Sequence, residues 1–276
     1  MKVVVCIPTR GRSESLKKVV DILIAGCSLP DTEIVVAIDA DDDSYGNPSF
    51  EHGNRVVWSQ AEREDTLGAK YNRAVRATQA DVYVLWADDM VMPDPGWDAK
   101  ISLSAAAFPD RCGVVLYGKI EGVLQPGIAV TRKFIDAMGF FAAPYFPYWW
   151  VDTWIMEVAT MAGRYIHTDV NVSLLGEMKQ ASRGVRDILF WAELFDKLRP
   201  RRIAVAESII RAGLDSPLCK YRLLSEVNQI AETWRQSNSI LRDPARADAL
   251  QQHYSFDAPE DERYLRVKAQ AEAMNV

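Results

Sequence analysis

Val82-Tyr83-Val84-Leu85-Trp86-Ala87-Asp88-Asp89 is the stretch that decides the fold. An apolar run of β-branched and aromatic residues predicts a strand buried on both faces. Two carboxylates at its carboxyl end then stand at the mouth of a sheet, where open α/β sheets bind their ligands. Asp88 and Asp89 are hard oxygen donors, the kind that hold Mg²⁺ or Mn²⁺ beside a phosphate. The plainer alternative is a solvated acidic turn leading to Pro93.

Two upstream junctions have the same form. Val3 to Ile7 (VVVCI) runs into Pro8-Thr9-Arg10-Gly11-Arg12, and Ile34 to Ile38 (IVVAI) runs into Asp39-Ala40-Asp41-Asp42-Asp43-Ser44. Between them, Leu16, Val19, Val20 and Leu23 share one helical face, with Ser13 as the expected N-cap. Strand, helix, strand is a βαβ unit with a right-handed crossover. Leu67 to Val75 (LGAKYNRAV) predicts a second crossover helix, with Gly68 in its first turn. The three strands form a parallel sheet with Thr9, Asp39 and Asp88/Asp89 along one edge. Val114 to Tyr117 predicts a further strand, and Gly122 to Val130 a turn between strands.

The order PTRGR, AIDADDDS, GAKYNRA, LWADDMVMPDPGW resembles the amino-terminal half of family 2 glycosyltransferases. The resemblance is good over about the first hundred residues and continues weakly to about residue 176. It implies a GT-A fold: a Rossmann-like, mostly parallel sheet flanked by helices, here with a helical C-terminal appendage. It makes ADD followed by Pro93 the DXD-type motif of the family. The usual Asp-Asp-Gly-Ser is replaced by the more acidic Asp39 to Ser44 loop, which leaves open which carboxylate faces the base. The Gln-x-x-Arg-Trp signature of polymer synthases is absent, since Gln180-Ala181-Ser182-Arg183-Gly184 lacks the Trp. Single addition is therefore expected.

The resemblance also distributes roles. Asp39 is expected to accept from the nucleobase or ribose, with Pro8, Thr9 and Arg10 lining the same pocket. Lys70 or Arg73 is expected to contact the donor. Asn72 either does so or hydrogen-bonds within the loops. A cation, Mn²⁺ or Mg²⁺, held by Asp88 and Asp89 neutralises the leaving diphosphate. In the family an acidic residue at the start of the corresponding helix is the catalytic base, and Asp152 in Trp149-Trp150-Val151-Asp152-Thr153-Trp154 matches that position. Asp152 as a helix cap, with Glu157 as base, is the alternative. Such a base is worth about 10²–10⁴-fold, and one direct displacement inverts the anomeric centre. His167 is either a packed or surface residue or a third metal ligand.

Composition agrees with a globular enzyme: 276 residues, 49% hydrophobic and 25% charged. Residues 1–200 are expected to form the catalytic domain, 1–110 the nucleotide-sugar half and 111–200 the acceptor half, with 201–276 helical. Leu223, Val227, Ile230 and Trp234 recur at helical spacing, and Asp261 to Met274 predicts another amphipathic helix. Cys6, Cys27, Cys112 and Cys219 are widely spaced without C-x-x-C, which points to a reducing, cytoplasmic setting. The chain opens on a strand instead of a signal peptide, and no apolar stretch reaches the ~18 residues of a membrane span.

The net charge is −6, yet Lys179 to Arg222 carries ten Lys/Arg against five Asp/Glu. A solvated helix face explains such a run. The sharper reading is a surface for an anionic acceptor, such as modified DNA or a phospholipid-linked or phosphorylated glycan, with Arg199, Arg201 and Arg202 at its centre. Two other functions fit a similar scaffold. A sugar-nucleotide nucleotidyltransferase needs a Gly-x-Gly loop with Lys after the first strand, which PTRGR lacks. A non-catalytic nucleotide- or glycan-binding domain would not need Asp88, Asp89 and Asp152.

Overall fold

The computed structural model describes residues 1–46, 52–92, 94–120, 123–175, 186–213, 224–237, 239–254 and 262–274. Pro93, the Gln180 to Gly184 stretch, Cys219 and both ends of the Lys179 to Arg222 segment lie outside them.

The elements run β1 (Val3–Pro8), α1 (Ser13–Gly26), β2 (Glu33–Asp39), β3 (Val56–Ala61), α2 (Leu67–Arg76), β4 (Val82–Leu85), β5 (Met90–Val91) and α3 (Trp97–Ala106). They continue with β6 (Val114–Ile120), β7 (Val123–Thr131), α4 (Arg132–Met138), α5 (Val151–Ala162), β8 (Tyr165–Thr168) and β9 (Ser173–Leu174). The rest is helical: α6 (Ile188–Lys197), α7 (Arg199–Ala212), α8 (Leu224–Ser237), α9 (Ser239–Arg242), α10 (Pro244–Tyr254) and α11 (Glu262–Glu272).

Two compact units share these elements. The first comprises Met1–Glu64, Ala69–Ala142 and Arg164–Met178; the second comprises Asp65–Gly68, Ala143–Gly163 and Lys179–Val276.

The first unit is built on a seven-stranded sheet in the order β3-β2-β1-β4-β7-β6-β8. β3, β2, β1 and β4 are mutually parallel, and β7 enters antiparallel to both β4 and β6. The three expected strands are thus adjacent and parallel. Successive residues of β1 point to opposite faces, yet Val3 through Ile7 are all fully buried. Helices on both faces explain this. Leu16, Val19, Val20 and Leu23 of α1 join Ile101 and Ala105 of α3, and Phe108 just beyond it, against Val3, Val5, Ile34, Val36, Val82 and Val84. On the other face Tyr71 of α2 and Tyr83 both meet Phe141 edge-on or tilted. Each such buried side chain contributes about 1.5–3 kcal/mol.

Three local readings are corrected. Of the Gly122 to Val130 stretch, Gly122 lies outside the described residues and 123–130 are not a turn: residues 123–131 form β7, the central antiparallel strand. Ser13 is the first helical residue of α1, and Arg12 occupies the cap position without a side-chain cap bond. β3 was not anticipated, because Val56–Ala61 carries the polar pair Ser59-Gln60 and is only half-buried.

The second unit packs helices around aromatics. Phe146 touches Trp150, Trp154, Trp191 and Phe195 with ring centroids 5.7–6.5 Å apart. Among the described residues no helix is long and apolar enough to cross a membrane.

Candidate active site

The chain leaves β1 toward β2 on one side and returns with β4 on the other, so the strand order reverses between β1 and β4. Crevices at such a reversal are where open α/β sheets bind ligands. The loops after β1, β2 and β4 meet there. Thr9 Oγ1 donates to Asp88 Oδ2 at 2.5 Å and lies 2.6 Å from the Tyr45 hydroxyl. Arg12 Nη1 donates to Asp88 Oδ1 at 2.7 Å and to Asp89 Oδ2 at 3.4 Å. Ser15 Oγ donates to the Asp88 carbonyl at 3.0 Å, and Leu175 N to that of Asp89 at 2.7 Å. Asp88 is buried and Asp89 half-buried, which excludes a solvated turn. Burial, and then the Asp88 charge beside it, push the Asp89 carboxyl above the usual carboxylate range.

Asp39 ends β2 and is 1% exposed. Around it stand Lys70 Nζ at 2.7 Å, Arg10 Nη1 at 3.1 Å, Arg63 Nε at 3.9 Å and Arg73 Nη2 at 4.0 Å. A buried carboxylate persists only with such compensation. Lys70 also donates to the Thr9 carbonyl at 2.8 Å, and burial pulls its ammonium below the ordinary lysine value. Arg10 reaches onward to Asp41 at 2.7 Å. Of the two cations proposed from the sequence, Arg73 is a brace: it binds Glu64, Ser59 and the Ile38 carbonyl. Gly11 lies between the two arginines at φ +65°, left-handed backbone that favours glycine, and its N–H donates to Asp42 at 2.8 Å. Pro8 closes β1 opposite Ala37.

Thr9, Arg10, Asp39, Lys70, Asp88 and Asp89 therefore converge at one sheet edge. Asn72 takes the loop role: its carbonyl accepts from Phe141 N and Ala142 N at 2.8 and 2.9 Å, and its amide donates to Ala142 O at 2.7 Å. His167 is exposed on β8, with its ring 5.6 Å edge-on from Tyr165. Its register partner is Leu116, and β8 lies three strands from β4, about 14 Å at ordinary strand spacing. The structure does not bring His167 to the aspartates. Among the described residues no cluster of three His, Cys, Asp or Glu is present.

The donor set still fits a divalent ion. Oxygens of two adjacent carboxylates converge on a single cationic nitrogen, Arg12 Nη1. Mg²⁺ sites need only one or two carboxylates when substrate phosphates supply further oxygens. Arg12 and Tyr45 were not assigned roles from the sequence. Arg12 stood in the quoted PTRGR, but nothing in the spacing says which arginine faces which aspartate.

In the second unit, Trp149 and Trp150 have φ of 41° and 57°, values costly for non-glycine residues, and deliver the chain into α5. Asp152 is exposed in its first turn, and its Oδ1 accepts from Thr153 N at 2.8 Å. Glu157 is buried and paired with Arg202 Nε at 2.7 Å; burial pushes its carboxyl up, against the pull of Arg202. Arg202 also packs over Phe195 and donates to the Phe195 carbonyl. It is a core residue and is removed from the expected acceptor cluster. Arg199 pairs with Glu232 at 3.1 Å, while Arg201 is exposed over Tyr145. A cavity of about 210 Å³ is lined by Trp150, Thr153, Glu157 and Trp234 among others.

Residues 4–122 match the model of glycosyl transferase family 2. The matched stretch carries β1 to β4 and every residue of the convergent sheet edge. No curated protein matches the chain. Among solved structures, S. aureus TarS 1–349 in complex with UDP-GlcNAc is 13% identical, with a TM-score of 0.58 over 98% of this chain and 80% of that one. Glucosyl-3-phosphoglycerate synthase from Mycobacterium tuberculosis in complex with Mn²⁺ and UDP-glucose is 14% identical, with a TM-score of 0.50 over 72% and 78%. At such identities these likenesses concern the fold, which is GT-A. The family match to the site-bearing half supports glycosyltransferase activity.

Proposed function

We propose that this chain is a divalent-metal-dependent, inverting glycosyltransferase that moves a sugar from a nucleotide-sugar, with uracil as the base. The observation that carries the reading is the convergence of Asp39, Lys70, Asp88 and Asp89 at the β1/β4 reversal. That two proteins of the same fold hold UDP-sugars supports the choice of base.

Asp88 and Asp89 hold the cation, which when bound supplies charge neutralisation at the diphosphate. Asp39 accepts from the uracil or ribose, and Lys70 and Arg10 hold its carboxylate in place. Asp152 takes the proton of the acceptor hydroxyl. Its exposure and its place in a first turn, fixed by Thr153, suit a group that must meet a solvent-borne acceptor. Glu157 cannot share that role while its charge is spent on Arg202. The acceptor is a hydroxyl-bearing glycan or an anionic carrier.

The test is a screen of nucleotide-sugars with Mn²⁺, following thermal stability and release of nucleoside diphosphate. A UDP-sugar is expected to raise the melting temperature by mass action and to be slowly hydrolysed. No stabilisation by any nucleotide-sugar, with or without metal, would sink the reading.

A further inference from the structure

Arg12 has no part in the reading above, yet it makes the closest cationic contact to the aspartate pair. Its backbone is fixed: the N–H donates to the Tyr45 hydroxyl at 3.2 Å and the carbonyl accepts from Leu16 N at 2.9 Å, opening α1. Its guanidinium stands at the end of a long side chain and contacts Asp88 at 2.7 Å and Asp89 at 3.4 Å. The second Asp88 oxygen belongs to Thr9. Two carboxylates facing one guanidinium leave an excess negative charge, which a divalent ion would cancel. The two cations compete for the same oxygens, and held that close together they repel one another.

We propose that Arg12 is an exchangeable cation of the Asp88–Asp89 pair: a divalent ion displaces its guanidinium, which then binds the donor's diphosphate. The inference rests on the metal-dependent reading of the same site. The exchange requires no backbone movement, because only the side chain beyond the Tyr45 and Leu16 anchors has to turn. A guanidinium released beside the diphosphate is suited to it, since its planar fork matches phosphate oxygens. Metal would then bind weakly by itself and well together with nucleotide, because the nucleotide compensates the displaced arginine.

The experiment measures Mn²⁺ binding by electron paramagnetic resonance and UDP binding by calorimetry, for wild type, Arg12→Gln and Arg12→Lys. In Arg12→Gln, Mn²⁺ without nucleotide is expected to bind about tenfold tighter, and UDP at saturating Mn²⁺ about tenfold weaker, the size of one charge-assisted contact. The opposite signs matter, because a merely structural arginine would loosen both. Arg12→Lys keeps the charge without the fork; it should move both affinities the same way by a smaller factor, and it serves if Arg12→Gln does not fold. Unchanged or weaker Mn²⁺ binding in the folded variants overturns the proposal and leaves the metal reading standing, provided wild type binds Mn²⁺ with UDP. If wild type binds no Mn²⁺ even with UDP, both fall.

Discussion

Lys70 Nζ lies 2.7 Å from Asp39 Oδ1 and donates to the carbonyl of Thr9, so one ammonium ties the end of β2 to the loop after β1. The pair is buried, and removing one partner of a buried pair strands the other charge. Asp39→Asn is expected to cost about 3 kcal/mol of stability and to weaken UDP binding about tenfold or more. Chemical denaturation and calorimetry check the two effects separately. Full stability with lost UDP binding would make Asp39 a pure ligand group, and the reverse a pure brace.

Asp152→Asn should lower turnover by about 10²-fold or more while leaving donor affinity nearly intact. Steady-state kinetics with a UDP-sugar and its acceptor, beside UDP calorimetry, decide the matter. Near-normal turnover would reduce Asp152 to a first-turn carboxylate whose work is done by Thr153 N.

Activity is expected to vanish in excess EDTA and return with Mn²⁺. Its pH dependence follows from Asp89. Burial and Asp88 raise that carboxyl, so it takes up a proton at a higher pH than an ordinary aspartate, and the protonated form is no ligand. Mn²⁺ affinity should therefore fall as the pH is lowered, beginning above the usual carboxylate range. A titration of Mn²⁺ affinity against pH that stays flat until the normal aspartate range would contradict this.

Arg202→Met and Arg201→Ala separate the basic segment into core and surface. Arg202 is buried against Glu157, so its loss should cost about 3–5 kcal/mol, measured by urea unfolding. Loss of Arg201, exposed over Tyr145, should cost less than about 1 kcal/mol. If an anionic acceptor uses this face, Arg201→Ala raises its KM and flattens its salt dependence without touching UDP release.

The legible parts of this chain are those where burial leaves no choice. Val3 to Ile7 and Ile34 to Ile38 are apolar at every position because helices cover both faces, and a run of that kind announces itself. β3 escaped notice because one side is partly wet and its polar Ser59 and Gln60 break the run. β7 escaped because Gln125-Pro126-Gly127 carries turn chemistry inside a strand. At the site, the residue types were readable and the pairings were not. Arg10 and Arg12 are equivalent in sequence, but left-handed Gly11 between them sends one to Asp39 and the other to Asp88. Arg199, Arg201 and Arg202 formed one charge cluster on paper, and the helical period of α7 buried one of them.

The second unit draws α5 from mid-chain and its partners α7 and α8 from much later. A ribosome delivers the chain in order, so Trp154, Ile155 and Val158 emerge some forty residues before the helix that brings Arg202 to Glu157. Until then an apolar face waits uncovered, in need of a holdase or of speed. A premature stop ahead of α7 should thus be felt first as clumping of the nascent product, well before any question of catalysis arises.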